Sequence, residues 1–515
     1  MEDTEVFDVA VVGFGPTGAV AAGLLGAYGL RTFVCDRSRE VYDKPRAIAL
    51  DHEILRVFQQ LGVVERVLPH AEPFTPSEFY GVDGQLIKRF TTVEPPYPLG
   101  YSPSMVFTQP PVERVLREHA QGLPGVDVAL GLELVDLAQD ASGVTLTLRD
   151  ESGSVRKVRA RYLLACDGAS STVRGLAGME LEDLGFDEPW LVVDVLVNDK
   201  GLAKVPAVSM QYCEPARPCS YIIGPGKHRR WEISINEGED PAQVATPEGT
   251  WALLSRWLTP DDATLWRQAS YRFHALVAKE WRAGRVFVAG DAAHQQPPFL
   301  GQGMCQGIRD AANLSWKLAA VLKGKATDAL LDTYGVERKG HVTELTTRIK
   351  DIGRLVGQRD PGKARQRDAQ LLSECSGVVK SMPRQNVQPA LARGLLSAVV
   401  RPAVGTIFPQ PWIKRGVTPE HMDAVAGTGW RVFVNESANV DVAATARAKG
   451  FCGMETLKLG APGMEEADGV LAQWFAQQGC AAAIVRPDHY VYGVADSAGD
   501  LSAQLMALHA AQLAH

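Results

Sequence analysis

The sequence predicts an α/β fold in parts: a dinucleotide-binding unit at the N-terminus, a mixed β-sheet inserted into it, and a smaller αβ unit at the C-terminus. Three observations predict this. An apolar strand, Val9-Ala10-Val11-Val12, runs into glycines at 13, 15 and 18 and then a helix of small residues. Between residues 181 and 275 helical periodicity gives way to strand-like runs. From Gly429 a fresh alternation of strands and helices begins. A chain of 515 residues has room for two to four such domains. The boundaries read as 1–74, 106–180 and 276–350 for the nucleotide-binding domain and 75–105 with 181–275 for the sheet domain. A helical connector follows at 351–411, and the C-terminal domain occupies 412–515.

In the first unit, the apolar strand reads as buried on both faces. The helix is expected from Ala19 to Tyr28, and a second strand from Leu30 to Asp36. Gly13 makes the tight turn, Gly15 lets backbone approach a pyrophosphate, and Gly18 lets helix pack on strand. The helix N-terminus offers N–H donors and partial positive charge to the phosphate, and Asp36 lies where it can accept from a ribose. This unit alone does not separate NAD from FAD.

Two further glycine segments point to a flavin. Tyr162 to Cys166 is an apolar strand that enters Asp167-Gly168, with Ser170, Ser171 and Arg174 on the next turn. Arg174 pairs with an acid to hold that turn, or binds a passing pyridine nucleotide. Val286 to Ala289 is another buried strand, ending at Gly290-Asp291. Asp291 suits both a helix cap and the ribityl hydroxyls of a flavin. Pro297-Pro298 stiffens the loop that would face the ring, and Gly301-Gln302-Gly303 then opens a helix. Such an N-terminus stabilises negative charge on a reduced ring, and its glycines let main-chain N–H groups approach the pyrimidine edge. Arg46, soon after the second strand, is within reach of the pyrophosphate or the flavin edge.

The chain resembles the class A flavoprotein aromatic hydroxylases, and within them the 3-(3-hydroxyphenyl)propionate hydroxylase group. The residues that carry the resemblance are Lys44-Pro45-Arg46-Ala47-Ile48, the Asp-Gly segment 167–174, and residues 290–318, GDAAHQQPPFLGQGMCQGIRDAANLSWKL. The resemblance covers residues 6–350 well and the C-terminal part loosely. It implies a Rossmann-like FAD-binding domain, with Gly13, Gly15, Gly18, Asp36, Arg46, Gln109 and Asp291 in contact with FAD. Asp167, Gly290, Pro298, Gly301, Gly303 and Met304 belong to the same cofactor-binding motifs, and Ser170 and Arg174 serve both FAD and NAD(P)H. The implied reaction uses NADH or NADPH as transient reductant and O2 as co-substrate. It hydroxylates a phenol-like aromatic through a C4a-hydroperoxyflavin, in aromatic compound degradation.

A phenol must lose its proton, and water must be kept from the ring. Asp51 and His52 are the candidate acid–base residues, with Pro298 on the loop at the ring. Asp51-His52-Glu53 equally suits a cap for the helix Ile54–Leu61. His294 reads as ordering its loop. In the sheet domain, strands are expected at Trp190–Val197, Val208–Tyr212, Ser220–Ile223 and Arg230–Ile235. Tyr212, Tyr221, Arg217 and Trp231 are the candidate substrate lining, with Arg217 or Arg230 as a clamp for a substrate carboxylate. The tyrosines equally suit packing of the sheet.

After residue 350 the chain reads as helical and charged through Lys380, then proline-rich to Pro411. In the last unit, strands are expected at Trp430–Val434, Leu457–Leu459 and Ala481–Val485, and helices at Val440–Ala448 and Val470–Gln478. Arg486 to Tyr492 resembles the closing motif of the thioredoxin-like C-terminal domain of this hydroxylase group. With no Cys-x-x-Cys there, its expected role is structural or in a homodimer contact.

Composition excludes several classes. A net charge of −7, from 53 basic and 60 acidic residues, disfavours a nucleic-acid surface. Eight scattered cysteines suggest neither a zinc site nor a dithiol centre. Residues 6–30 are strongly apolar, but Met1-Glu2-Asp3 lacks a positive leader and Asp8 interrupts the run, so no membrane segment is expected and the location reads as cytoplasmic. Three other functions fit the flavin reading: hydride transfer without oxygen insertion, halogenation, and FAD carriage without catalysis. Halogenation lacks its W-x-W-x-I-P segment, and a carrier has no need of glycines at the ring's reactive edge.

Overall fold

Valine-rich strands covered on both faces assemble the first sheet. In the computed structural model, which describes residues 6–438 and 454–513, Val6–Val12 lies between Thr32–Asp36 and Val155–Ala165, parallel to both. Val126–Leu130 and Val286–Val288 extend the sheet at either side, again in parallel. Val9, Ala10 and Val11 are fully buried, as a parallel sheet covered by helices requires. Helix Pro16–Ala27 packs against both Gly303–Leu322 and Gln109–Gln121. Val144–Asp150 and Leu132–Gln139 add an antiparallel extension to Val155–Ala165.

The second sheet has nine strands. Leu181–Val197 and Ala263–Ala278 form its long antiparallel pair. His228–Ser234, Cys219–Ile223, Ser209–Tyr212, Ser77–Tyr80 and Leu86–Thr91 follow in spatial order. Two segments from outside the expected sheet domain close its edges: His294–Gln295 on one side and Ser381–Pro383, from the connector, on the other. The faces have different partners. Leu191, Val193, Trp231 and Ile233 pack with Leu254 and Leu258 in one core. Phe79, Trp190, Val192 and Phe273 pack with Phe299 and the helix Asp332–Val356 in another.

The connector contains the helix Pro361–Glu374, the edge strand Ser381–Pro383, a 3-10 turn at Arg384–Val387 and then irregular chain. In the last unit, Arg431–Val434 pairs in parallel with Glu455–Lys458 and antiparallel with Ala482–Val485, which pairs antiparallel with Val491–Ala495. Helices Val470–Gln478 and Ala498–Leu513 accompany this sheet. The helix expected at Val440–Ala448 lies outside the described residues. No helix among the described residues is long and apolar enough to cross a membrane.

Candidate active site

The three glycine segments converge in space. Gly13 has φ 96°, and a Cβ there would sit 2.3 Å from the Cys166 carbonyl oxygen. A Cβ at Gly18 would lie 1.9 Å from the Gly13 oxygen, so only glycine lets the helix dock. Thr17 joins the third segment: a Cβ at Gly290 would be 2.8 Å, and one at Gly307 2.3 Å, from its Oγ1. A Cβ at Gly15, by contrast, would meet nothing within 4 Å. Gly15 faces a cavity of ≈330 Å³ that Gly13, Asp36, Arg46, Gln109 and Asp167 also line.

Each lining residue is held from behind. Asp36 accepts from the Phe14 N–H through Oδ2 (2.7 Å) and from the Ser38 N–H through Oδ1 (2.7 Å). Gln109 accepts from the Ala47 N–H (2.6 Å) and donates to Glu113 (3.1 Å), which fixes the Pro45-Arg46-Ala47 segment. Arg230, paired with Asp194 (2.7 Å), donates to the Arg46 carbonyl (2.7 Å). It is a buried brace for that segment rather than a clamp for a substrate carboxylate. Arg46 itself is exposed, with its guanidinium over the Tyr42 ring at 4.7 Å. Asp167 accepts from the Ser171 hydroxyl (2.5 Å) and the Val173 N–H (3.1 Å). Arg174 makes no salt bridge among the described residues, though Asp167 is close enough to favour its charge; it donates to the carbonyls of Ala169 and Ala292, both at 2.9 Å, and so staples the second segment to the third.

Asp291 follows Gly290 in the 3-10 turn Gly290–Ala292. No described residue donates a hydrogen bond to its carboxylate. It keeps exposed surface, yet the protein around it holds its carboxyl above the usual carboxylate range. Both facts fit a group in a recess. His294 is held through one ring nitrogen: its Nε2 lies 2.7 Å from Asp310, which also accepts from the Gly290 N–H (2.9 Å) and Arg338 (2.8 Å). It orders the loop, as its sequence context suggests.

The Pro298–Gly301 loop is a turn closed by Gly301 N–H donating to the Pro298 carbonyl (2.6 Å), with Gly301 at φ 61°. Gly303 and Met304 begin the helix Gly303–Leu322 just beyond it, both half-buried. A cavity of ≈30 Å³ lies between this loop and the second sheet. Ile48, Phe74, Phe79, Phe90 and Phe299 form its apolar wall. Gln211, Ser220, Glu232 and Arg384 supply the polar groups. Burial raises the Glu232 carboxyl to about 7 and lowers the Arg384 guanidinium to about 10.

This corrects the expected substrate lining. Tyr212, Tyr221 and Trp231 sit on the opposite face of the sheet, within the core around Leu254. The Tyr221 hydroxyl donates to the Pro206 carbonyl (3.0 Å), and the Tyr212 hydroxyl accepts from the Trp257 indole (3.1 Å). Arg217 is bound in a two-pronged pair with Glu239, one prong at 2.5 Å, and does not line the cavity beside Pro298. Successive strand residues face opposite sides, so an offset of one residue separates Tyr221 from Ser220 and Trp231 from Glu232. The sequence signal misleads here because polar residues alternating with apolar ones ordinarily mark the solvent side. On this sheet the polar row lines the cavity and the apolar row forms the core beneath the helix Pro247–Leu254.

Asp51 and His52 line another cavity, of ≈290 Å³, with Arg309, His341, Trp474 and Tyr490. Neither lines the smaller cavity beside Pro298. Asp51 caps the helix His52–Gln60 by accepting from the Ile54 N–H (3.2 Å), and its other oxygen accepts from Arg309 (2.6 Å). Arg309 and His52 hold the Asp51 carboxyl below the usual range despite its burial, which makes it a weak base. The His52 Nδ1 is buried without a partner, and burial lowers the ring to about 4. Arg384 borders both cavities. It was not among the sequence candidates, since nothing in a proline-rich connector marks one arginine as a wall residue.

Comparison with known proteins agrees with this geometry. Residues 6–349 match the FAD binding domain family, and residues 405–511 match the HcaD C-terminal domain family. A probable NADH-specific resorcinol 4-hydroxylase of Rhodococcus jostii is 39% identical over 507 residues, 96% of this chain and 93% of its own. A 3-(3-hydroxy-phenyl)propionate/3-hydroxycinnamic acid hydroxylase of a Mycobacterium species (strain JLS) is 36% identical over 445 residues, 84% of this chain and 76% of its own. Among solved structures, the flavin-dependent monooxygenase PieE in complex with FAD and substrate superimposes with TM-score 0.81, covering 98% of both chains at 23% identity. The chain belongs to the class A FAD-dependent aromatic hydroxylases.

Proposed function

We propose that this hydroxylase acts on a small one-ring phenol of the resorcinol kind, with NADH as reductant. One oxygen atom of O2 enters the ring, the other leaves as water, and one NADH and one proton are consumed. The observation that carries the proposal is the likeness to a probable NADH-specific resorcinol 4-hydroxylase over nearly the whole chain, which supports the same substrate and reductant. The recess at the Pro298–Gly301 loop, apolar in its walls and polar at Gln211, Ser220 and Glu232, supports a place for the phenol hydroxyl.

The residues divide the work. Gly13, Gly15, Gly18 and the start of Pro16–Ala27 would receive the pyrophosphate of FAD, Asp36 a ribose, and Asp291 the ribityl chain. Arg46 and Gln109 stand at the side of the same cavity. When bound, FAD supplies the passage of two electrons from NADH to O2. Pro298, Gly301, Gly303 and Met304 would carry the ring's edge, where main-chain N–H groups at the head of Gly303–Leu322 stabilise negative charge. Phe79, Phe90 and Phe299 exclude water from the reacting ring. We read the domains with the boundaries set out above, the C-terminal unit as thioredoxin-like in fold and structural in role, and the assembly as a homodimer.

The test is NADH consumption in the presence of phenols, with mass analysis of the products. Resorcinol-type substrates are expected to accelerate NADH oxidation and to gain one oxygen. Accelerated hydride transfer with no gain of oxygen would instead favour a plain flavin oxidoreductase. Asp291→Ala is expected to purify without bound flavin; a fully yellow Asp291→Ala protein removes that residue from the site.

A further inference from the structure

Glu232 occupies an unusual position. It lies on the strand His228–Ser234, opposite Val192 on one neighbouring strand and Ser220 on the other. The residue is 3% exposed, and the little surface it has belongs to the cavity beside Pro298. Ser220 donates to Gln211, so these two neighbours satisfy each other rather than the carboxylate. No described residue donates a hydrogen bond to the Glu232 carboxylate. A buried carboxylate left without a donor is costly and is rarely retained without a use.

The charged groups around it do not neutralise it. Arg230, on the same strand, is committed to Asp194 and to the Arg46 carbonyl. Asp194, on Leu181–Val197, adds negative charge. Arg384 donates to the Leu300 carbonyl and lies 4.2 Å from the Phe74 ring centroid. The Pro298–Gly301 loop and Ile48-Ala49 bring no charge. The cavity therefore presents one carboxylate to whatever ring enters it, with the Arg384 guanidinium, turned to the Leu300 carbonyl, as its other charged lining group.

We propose that Glu232 receives the hydroxyl of the phenol, takes its proton, and bars rings that carry a carboxylate of their own. This rests on the phenol reading above. The phenol O–H bond breaks, its electron pair stays on oxygen, and the proton comes to rest on a Glu232 carboxylate oxygen. The ring is thereby made electron-rich when oxygen is delivered. Burial helps: with Glu232 raised to about 7, base and phenol differ by roughly three pH units rather than nearly six. A carboxylated ring would place a second anion in the same small space, where like charges close together are disfavoured.

The test compares wild type with Glu232→Gln and Glu232→Asp, all FAD-loaded, using resorcinol and 3-(3-hydroxyphenyl)propionate between pH 5.5 and 9. In wild type, kcat for resorcinol is expected to rise with pH through a limb near 7. Glu232→Gln is expected to keep its flavin absorbance and melting temperature, lose about 100-fold in kcat, and lose the limb. Its preference for resorcinol over the carboxylated phenol is expected to narrow at least tenfold through KM. Glu232→Asp is expected to restore the limb at a lower rate. A Glu232→Gln enzyme within threefold of wild type, with the same limb and preference, overturns the proposal alone. A wild type that hydroxylates no phenol overturns the phenol reading, and the proposal with it.

Discussion

His52 begins the helix His52–Gln60 with its Nδ1 buried and unpartnered. Burial drives its pKa to about 4, against the pull of Asp51 and assisted by Arg309 and Arg56. An unfolded histidine titrates near 6.5. As pH falls below that value the unfolded chain takes a proton that the folded chain refuses until about pH 4, so stability is lost across this window. At pH 5 the loss attributable to His52 is about 1–2 kcal/mol. The unfolding midpoint of wild type should therefore fall toward that of His52→Gln, or further below it, between pH 7 and 5. Denaturant titrations at both pH values measure this, and parallel profiles for the two proteins would refute it. The same burial explains why the base was hard to find from sequence. Gly13 and Gly18 were legible because a tight turn and a close helix–strand approach demand glycine. A carboxylate's basicity depends on who surrounds it, and Asp51 and Glu232 look alike until Arg309 is found beside one and no donor beside the other.

At the scale of the element, three strands of the second sheet were legible to within two residues, the Trp190–Val197 run marked only the end of Leu181–Val197, and Ala263–Ala278, Ser77–Tyr80 and Leu86–Thr91 were not singled out. The sidedness of the sheet was not legible. An antiparallel sheet with one wet face ordinarily turns its apolar residues to the core, and this one does, but its polar face looks into the protein instead of into solvent. The correction can be checked by splitting stability from recognition. Trp231 is fully buried among Tyr221, Trp257 and Leu254. Trp231→Ala should cost about 3–5 kcal/mol of stability and leave the KM for a phenol unchanged in the folded enzyme. Gln211→Ala, on the other face, should cost about 1 kcal/mol and raise KM. Chemical denaturation and steady-state kinetics on the two variants give four numbers. The reverse assignment, with KM moved by Trp231→Ala and not by Gln211→Ala, would return the tyrosine face to the substrate.

The whole molecule is tied together by buried charge between parts remote in sequence. Arg486, in the last unit, donates to Glu337 (2.7 and 2.9 Å) and to Asp488 (2.7 and 2.9 Å). Lys317 donates to the same Glu337 (2.7 Å), and Asn313 bridges Glu337 and Asp488. Asn313 and Lys317 lie on Gly303–Leu322, the helix whose first turn would face the flavin, and Glu337 lies on Asp332–Val356, which lies against the second sheet. A second tie joins Arg56 to Asp423 (2.6 Å). The sequence showed Arg486 as part of a closing motif without showing what it closes on, because its partner Glu337 is 149 residues away. The C-terminal unit thus clamps the far end of the flavin-facing helix. The cations hold Glu337 near 2, well below the usual carboxylate range, so it stays ionised and dependent on them. Arg486→Met removes two-pronged pairing from Glu337 and Asp488 at once and leaves buried negative charge. It should destabilise the protein by about 3–5 kcal/mol. Because the clamp acts on Gly303–Leu322, the variant should also release FAD more readily and expose the C-terminal unit to limited proteolysis at protease levels that spare wild type. An Arg486→Met protein with wild-type midpoint, flavin content and proteolytic pattern would show that the last unit merely rests on the rest of the chain.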